Sequence, residues 1–220
     1  MTKRIHILVE GQTEETFVKE MLAPHLWQYN IYTTVTMVCT RVVRNVRKER
    51  GGIGSYSQIK RDIIRLCKDT NVVAITTLFD FYGLPSNSPG LDSLPAGDCY
   101  QHVKHIESQL FSDINEARFI PFVMLHEFET IIFCDPTKLK YSFPNQPGKV
   151  QRIIDIADQY DSPEKINNSP QTAPSKRILS VFSDYEKIYH GCTTALDIGL
   201  DTIRSKCSHF NDWLSRLESL

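Results

Sequence analysis

Short apolar segments that alternate with longer helical patterns constrain the fold of this chain more than any other feature. Residues 5–9, 72–79 and 118–125 are apolar and too short for stable helices, so each predicts a buried strand, and residues 32–43, rich in Thr and Val, predict another. Helical patterns separate these segments, and regular alternation of strand and helix is typical of parallel sheets. We therefore predict an α/β fold with a mostly parallel central sheet flanked by helices.

The pattern changes near residue 136, which predicts a different organisation for the last third of the chain. Strong strand patterns stop there, prolines become frequent, and helical patterns continue to the end. A chain of 220 residues suits one domain of ordinary size with an appended part. We predict an α/β domain over residues 1–135 and a helical C-terminal region, residues 136–220, packed on that core.

Composition excludes several classes of protein. The hydrophobic fraction of 41% and charged fraction of 23% are typical of globular proteins, and no apolar run is long enough to span a bilayer. The six cysteines include no C-x-x-C pair, so we expect free thiols in a reducing compartment and no structural zinc site. The N-terminal residues do not form a signal-peptide pattern, and we expect a cytoplasmic location without membrane association. The net charge of −1 means that any nucleic-acid binding must use a local surface.

Acidic residues follow three of the predicted strands at the point where each strand ends. Glu10 follows the first strand, Asp80 the third, and Glu127 and Glu129 the fourth. In parallel sheets ligands bind at the carboxyl ends of the strands. Carboxylates there predict a site for Mg²⁺ or Mn²⁺, which prefer oxygen ligands. The alternative is that each acid only occupies the first turn of a helix.

Two of these segments resemble a known nucleic-acid enzyme domain. Leu8-Val9-Glu10-Gly11 and Leu78-Phe79-Asp80-Phe81-Tyr82-Gly83 resemble the Toprim domain of type IA topoisomerases, primases and overcoming-lysogenization-type nucleases. More closely, the whole chain resembles the bacterial domain of unknown function 4276 family. That resemblance rests on segments spread almost from end to end: Glu10-Gly11-Gln12-Thr13-Glu14, Asp80-Phe81-Tyr82-Gly83-Leu84-Pro85, His126-Glu127-Phe128-Glu129, Ala173-Pro174-Ser175-Lys176-Arg177 and Cys207-Ser208-His209-Phe210-Asn211-Asp212-Trp213-Leu214.

The resemblance implies a Toprim-like fold and a metal-dependent activity on nucleic acid. Glu10 would be a general acid or base and Asp80 a metal ligand. It also implies an AAA-type ATPase partner encoded nearby and a setting in phage defence.

One position departs from the Toprim pattern. Tyr82 stands where the second acid of the Asp-x-Asp motif would be. Either Glu127 or Glu129 supplies the missing oxygen, or the metal site is weak.

Two basic segments are candidates for phosphate contacts. Ser175, Lys176 and Arg177 occupy a predicted helix start, where a serine cap and two cations suit a phosphate clamp or, alternatively, a solvated helix end. The loop over residues 41–54 contains Arg44 and Arg47 among five cations, and it either contacts a nucleic-acid backbone or is simply solvated.

Two functions are therefore compatible with the sequence. The first is a metal-dependent nuclease that hydrolyses DNA or RNA phosphodiesters at Glu10 and Asp80. The second is a non-catalytic Toprim-like subunit that binds a partner ATPase or nucleic acid. The chain has no Walker-type phosphate loop, so any nucleotide hydrolysis would belong to a partner.

Overall fold

The central sheet is parallel, as the sequence predicts. The computed structural model describes residues 2–38, 54–167 and 169–220. Its strands are β1 (Lys3–Val9), β2 (Ile31–Met37), β3 (Ala74–Asp80), β4 (Phe119–Ile120) and β5 (Val123–Met124). Their order is β2-β1-β3-β4, with β5 also paired to β3, and every pairing is parallel. The carboxyl ends of β1 and β3 therefore lie side by side at one edge of the sheet.

Helices flank the sheet and form the C-terminal part of the chain. The first helical segment runs from α1 (Gln12–Phe17) through a π-helical turn (Val18–Leu22) into α2 (Ala23–Trp27). The other α-helices are α3 (Tyr56–Cys67), α4 (Cys99–Ile114), α5 (Leu139–Ser142), α6 (Pro147–Ala157), α7 (Pro174–Val181), α8 (Cys192–Ile198), α9 (Leu200–Lys206) and α10 (Ser208–Glu218). A second π-helical turn covers Lys187–Gly191, and 3-10 turns cover Phe81–Gly83, Leu91–Ser93, Phe128–Cys134, Pro136–Lys138, Pro163–Lys165 and Pro170–Thr172.

Hydrophobic cores cover both faces of the sheet. Ile7 and Val9 of β1 pack into one core with residues of α1 and α10, whereas Leu8 packs into the other with residues of α3 and α4. This alternation follows from the two-residue period of a strand. All seven residues of β3 are buried, which is expected for a central parallel strand.

The fourth predicted strand, residues 118–125, is interrupted, so the sequence prediction of one continuous strand is wrong. Pro121 has no backbone N–H, and it separates β4 from β5. The hydroxyl of Thr77 takes over part of the pairing there. It donates a hydrogen bond to the carbonyl of Phe122 (2.8 Å) and accepts one from the Phe122 N–H (2.9 Å).

The C-terminal helix α10 packs directly on the sheet. The ring of Trp213 stacks on Phe122 at 4.2 Å between centroids, and its indole N–H donates to the hydroxyl of Thr76 at 2.9 Å. The buried carboxylate of Glu164 accepts hydrogen bonds from the first backbone N–H groups of α10, each at 3.1 Å. A negative charge at a helix N-terminus stabilises the helix, so Glu164 holds α10 in place.

The remaining observations concern membrane-spanning helices and the cysteine thiols. None of the helices in the described part of the chain is long and apolar enough to cross a membrane. Five cysteines, Cys67, Cys99, Cys134, Cys192 and Cys207, are free thiols. Cys39 lies outside the described residues.

Candidate functional site

The side chain of Glu10 lies at the carboxyl end of β1, against the backbone of Gly83. The 3-10 turn that follows β3 brings this glycine close. A Cβ atom on residue 83 would lie 2.2 Å from Oε2 of Glu10, closer than any real contact. Only glycine therefore leaves room for Glu10 in this position.

Glu14 joins the same site because of the way α1 begins. The backbone N–H of Gly11 donates a hydrogen bond to Oε2 of Glu14 at 3.0 Å. This contact turns the Glu14 side chain back toward the N-terminus of its helix, where an acid is favoured. Glu14 is almost completely buried, with 3% of its surface exposed.

Asp80, the last residue of β3, is bound by a lysine from the C-terminal region. Nζ of Lys187 lies 2.9 Å from Oδ2 of Asp80, 3.3 Å from Oε1 of Glu14 and 3.5 Å from Oε2 of Glu129. One ammonium group therefore contacts three carboxylates that come from three different parts of the chain. We call Glu10, Glu14, Asp80, Glu127 and Glu129 the acidic cluster.

A left-handed residue directs the chain into the cluster after β5. His126 has φ = 67°, a conformation that is rare for residues with a Cβ. Its carbonyl accepts a hydrogen bond from the N–H of Tyr82 at 3.0 Å, and its Nε2 lies 2.9 Å from the carbonyl oxygen of Glu164. Burial lowers the pKa of His126 to about 4, so the ring is neutral and Nε2 carries the donated proton. These contacts hold the strained turn.

The two acids after this turn have different surroundings. Glu129 lies in the 3-10 turn Phe128–Cys134 and is 1% exposed. Glu127 instead faces the start of α7, where its Oε1 accepts a hydrogen bond from the backbone N–H of Ser175 at 2.5 Å. Glu129 is thus the acid that shares Lys187 with Asp80.

Burial and the repulsion between carboxylates make two acids of the cluster, Glu10 and Glu129, hold protons at neutral pH. Burial raises the pKa of Glu10 to about 8, and the nearby carboxylates of Asp80 and Glu14 add to the increase. Burial also raises the pKa of Glu129 to about 8, although the ammonium group of Lys187 opposes that shift. Burial raises the pKa values of Glu14 and Glu127 in the same direction.

The pKa of Lys187 is raised as well, which for a base favours the charged form. Burial alone disfavours its charge, but the carboxylates of Asp80, Glu129 and Glu14 outweigh burial and raise the pKa of Lys187 well above its ordinary value. Lys187 is therefore charged throughout the physiological pH range.

Several oxygen atoms of the cluster lack hydrogen-bond partners among the described residues. They are Oε2 of Glu10, Oδ1 of Asp80 and Oε1 of Glu129, together with the nearby hydroxyl of Tyr185. Oε1 of Glu14 and Oε2 of Glu129 also lack hydrogen bonds, but each forms an ion pair with Lys187. Buried polar groups are normally satisfied, so a group of such oxygens indicates a place for a ligand. Hard carboxylate oxygens are the donors that Mg²⁺ and Mn²⁺ accept.

The acids do not form a metal site as they stand. Across residues 2–38, 54–167 and 169–220, no three His, Cys, Asp or Glu side chains are arranged to hold a metal ion. Instead, the ammonium group of Lys187 contacts Asp80, Glu14 and Glu129. The chemistry of the donors fits a divalent cation, whereas their arrangement fits the lysine.

The structure places the predicted phosphate-binding residues in different surroundings. Ser175 contacts the cluster through Glu127, and the side chain of Lys176 is exposed. Arg177 turns to Tyr160, donating to its hydroxyl at 3.0 Å and to the carbonyl of Thr172 at 2.8 Å. Arg44 and Arg47 lie outside the described residues.

Sequence reasoning missed Glu14 and Lys187 as site residues. Glu14 has a usable signal, because a glycine followed three residues later by a glutamate is compatible with a capping arrangement that folds the acid back. Lys187 has none, because it lies 107 positions from Asp80 in a segment without a motif.

One comparison with known proteins assigns the chain to a family. The family model described as Domain of unknown function (DUF4276) matches residues 9–218. The chain belongs to this family. The DUF4276 match spans nearly the whole chain and includes the entire acidic cluster together with Lys187. Searches of curated proteins and of solved structures found no match.

Proposed function

We propose that this DUF4276 protein is a metal-dependent nuclease that hydrolyses phosphodiesters of DNA or RNA at the acidic cluster. One observation carries the proposal: Asp80, Glu14 and Glu129 meet around one ammonium group at the carboxyl edge of a parallel sheet. Glu10 lies beside them, at the end of the neighbouring strand. The Toprim-like character, an AAA-type ATPase partner and a role in phage defence rest on the sequence resemblance. A cytoplasmic location agrees with the five free thiols.

Asp80 and Glu129 would hold Mg²⁺ or Mn²⁺ once the ammonium group of Lys187 moves away from their oxygens, with Glu10 beside the metal as the group that would exchange a proton. The sequence left Glu127 and Glu129 as alternatives for a further ligand. Oε1 of Glu127 is already bound by the Ser175 N–H, whereas Glu129 has no hydrogen-bond partner among the described residues and only a 3.5 Å ion pair with Lys187. Glu129 would thus supply the oxygen that Tyr82 does not. When bound, the metal would neutralise charge on the phosphate.

Glu10 is suited to move a proton at this site. With a pKa of about 8 it is mostly protonated at neutral pH, and it can then donate to a leaving oxygen. Lys187 supplies the positive charge that a phosphate meets at the cluster.

Divalent cations should stabilise the protein in a pH-dependent way. A glutamate titrates near 4.5 when unfolded, but Glu10 and Glu129 titrate near 8 when folded. Between these values the folded chain binds more protons, so without metal the stability should fall as pH rises from 5 to 8. Mg²⁺ at about a hundred times its Kd should raise the melting temperature by about 5–10 °C at pH 8 and by much less at pH 5. Differential scanning fluorimetry in EDTA and in Mg²⁺ or Mn²⁺ measures this directly.

Glu10→Gln is the matched variant for that measurement. Without metal, its melting temperature should depend less on pH than that of the wild type. Equal melting temperatures with EDTA and with either metal at pH 8 would contradict the metal centre.

The activity itself is tested by a nuclease assay on labelled DNA and RNA, with Mg²⁺ or Mn²⁺, with and without an AAA-type ATPase of the kind that the resemblance implies. Metal-dependent cleavage would support the proposal. Intact substrates in every combination would favour the second candidate below.

The second candidate is a non-catalytic subunit that binds a partner ATPase or nucleic acid. The observation favouring it is that the cluster already has a cation, Lys187, while Tyr82 binds Asn167 through its hydroxyl at 2.5 Å. Such a protein would bind its partner with the same affinity in EDTA and in Mg²⁺.

Lys176 and Arg177 should have separable roles. Lys176 is exposed near the cluster, so Lys176→Ala should weaken nucleic-acid binding and lower its salt dependence by about one phosphate contact. Arg177→Ala should instead lower the unfolding free energy by about 1 kcal/mol, because it removes the contacts with Tyr160 and Thr172. Binding titrations at several salt concentrations, beside denaturant unfolding, measure both effects. A stable Arg177→Ala protein with weakened binding would reverse the assignment.

A further inference from the structure

Exposed aromatic and apolar side chains lie directly beside Lys187. Ile188 and Tyr189 are the next two residues in the π-helical turn, and they are 52% and 65% exposed. Because Lys187 contacts the acidic cluster, Ile188 and Tyr189, which follow it in the chain, lie close to the cluster. Large exposed side chains next to a polar site indicate a surface that binds something.

The exposed ring of Tyr189 lies next to other aromatic rings. Its centroid lies 5.0 Å from that of His190, and His190 lies 4.7 Å from Phe143. Tyr141, two residues before Phe143, is 60% exposed. We call Tyr141, Phe143, Tyr189 and His190 the aromatic strip.

The strip is held by contacts beneath it. Phe143 stacks on the buried ring of Phe182 at 4.2 Å, and Nδ1 of His190 accepts a hydrogen bond from the N–H of Glu186 at 2.9 Å. Phe143 is itself buried, with 4% of its surface exposed, so Phe143 and Phe182 support His190 from beneath. A planar ligand would stack on the exposed ring of Tyr189.

Lysines accompany the strip. Nζ of Lys140 lies 5.0 Å from the ring centre of Tyr141, and Nζ of Lys149 lies 5.6 Å from that of Phe182. Neither lysine has an ion pair with a carboxylate among the described residues. In a chain whose net charge is −1, cations beside aromatic rings mark a local surface that suits a polyanion carrying flat groups.

We propose that the aromatic strip binds unpaired bases of a single-stranded nucleic acid and delivers its backbone to the acidic cluster. This inference rests on the proposed nuclease function and names its substrate class. Exposed rings stack on base faces, which a duplex keeps inside its own stack, whereas lysines contact the phosphates of either form. The strip therefore selects single strands or unpaired segments.

The test compares binding of fluorescein-labelled single strands and duplexes of about 20 nucleotides, longer than a typical single-strand site. Anisotropy titrations in EDTA prevent cleavage. The single strand should bind at least about tenfold more tightly, and Tyr189→Ala should weaken its binding by about tenfold, as expected for one lost stacking contact. Tyr189→Trp should bind within about twofold of wild type, because it keeps a stacking ring. Lys140→Ala should lower the salt slope by about 0.7, the value for one single-strand phosphate contact.

Tyr32→Ala is the matched control. Tyr32 is similarly exposed, at 55%, but it pairs with Arg4 near the start of β1, at the sheet edge opposite Glu10. Removing the Tyr32 ring should leave the affinities for the single strand and for the duplex unchanged.

Equal affinity for the two forms, unchanged single-strand binding by Tyr189→Ala, or no binding to either form would overturn the inference. Failure of the nuclease proposal is a separate result. Single-strand preference that depends on Tyr189, without metal-dependent cleavage, would reject the nuclease and leave the strip. Metal-dependent cleavage without a preference for single strands would support the nuclease and reject the role of the aromatic strip.

Discussion

We expect Asp80→Asn and Glu10→Gln each to reduce the proposed metal-dependent cleavage by about a hundredfold or more, while the protein stays folded. Loss of a general acid or base typically costs a factor of about 10²–10⁴. Asp80→Asn removes the charge that would bind the metal, and Glu10→Gln removes the group that would exchange the proton. Both changes nearly preserve shape, so the contacts of the sheet edge should persist.

Stability distinguishes this expectation from simple misfolding. Burial raises the pKa of Glu10 to about 8. Its environment thus favours a neutral side chain, and Glu10→Gln should be at least as stable as wild type at pH 8 without metal. Glu20→Gln, on an exposed position of the same helical segment as Glu14, is the matched control and should retain full activity. Full activity of the Asp80 and Glu10 variants would show that the acidic cluster has no catalytic role.

Lys187→Met should destabilise the metal-free protein by about 2 kcal/mol near pH 8. The substitution keeps the length of the side chain but leaves Asp80, Glu14 and Glu129 without their shared cation. Removing one partner of a fully buried ion pair costs about 3–5 kcal/mol. The Lys187 side chain is 36% exposed, so solvent reduces that cost. Urea unfolding at several pH values measures it.

The loss of stability caused by Lys187→Met should become smaller toward pH 5, because protonated glutamates no longer require a cation. Mg²⁺ should restore much of the stability at pH 8 if the same oxygens accept a metal. Lys19→Met, which breaks an exposed pair with Glu15, is the control and should cost less than about 1 kcal/mol. Equal stability of Lys187→Met and wild type at pH 8 would show that the lysine does not hold the cluster together.

Local sequence determined the sheet and the main position of the acids. The apolar runs of β1 and β3 are continuous because these strands are covered on both faces, and such runs are readable without a structure. Since parallel strands end at the same edge, Glu10 and Asp80 were also predictable as neighbours. The DUF4276 family was recognisable from motifs spread along the chain.

Tertiary structure decided the chemistry of the site. Whether Glu127 or Glu129 faces Asp80 depends on the left-handed turn at His126, which contacts with Tyr82 and Glu164 hold in place. The cation at the cluster comes from Lys187, 107 positions after Asp80. No local pattern encodes such a contact, because it results from how the C-terminal segment packs against the sheet edge. The raised pKa values of Glu10 and Glu129 likewise arise from burial and close approach, which exist only in the folded chain.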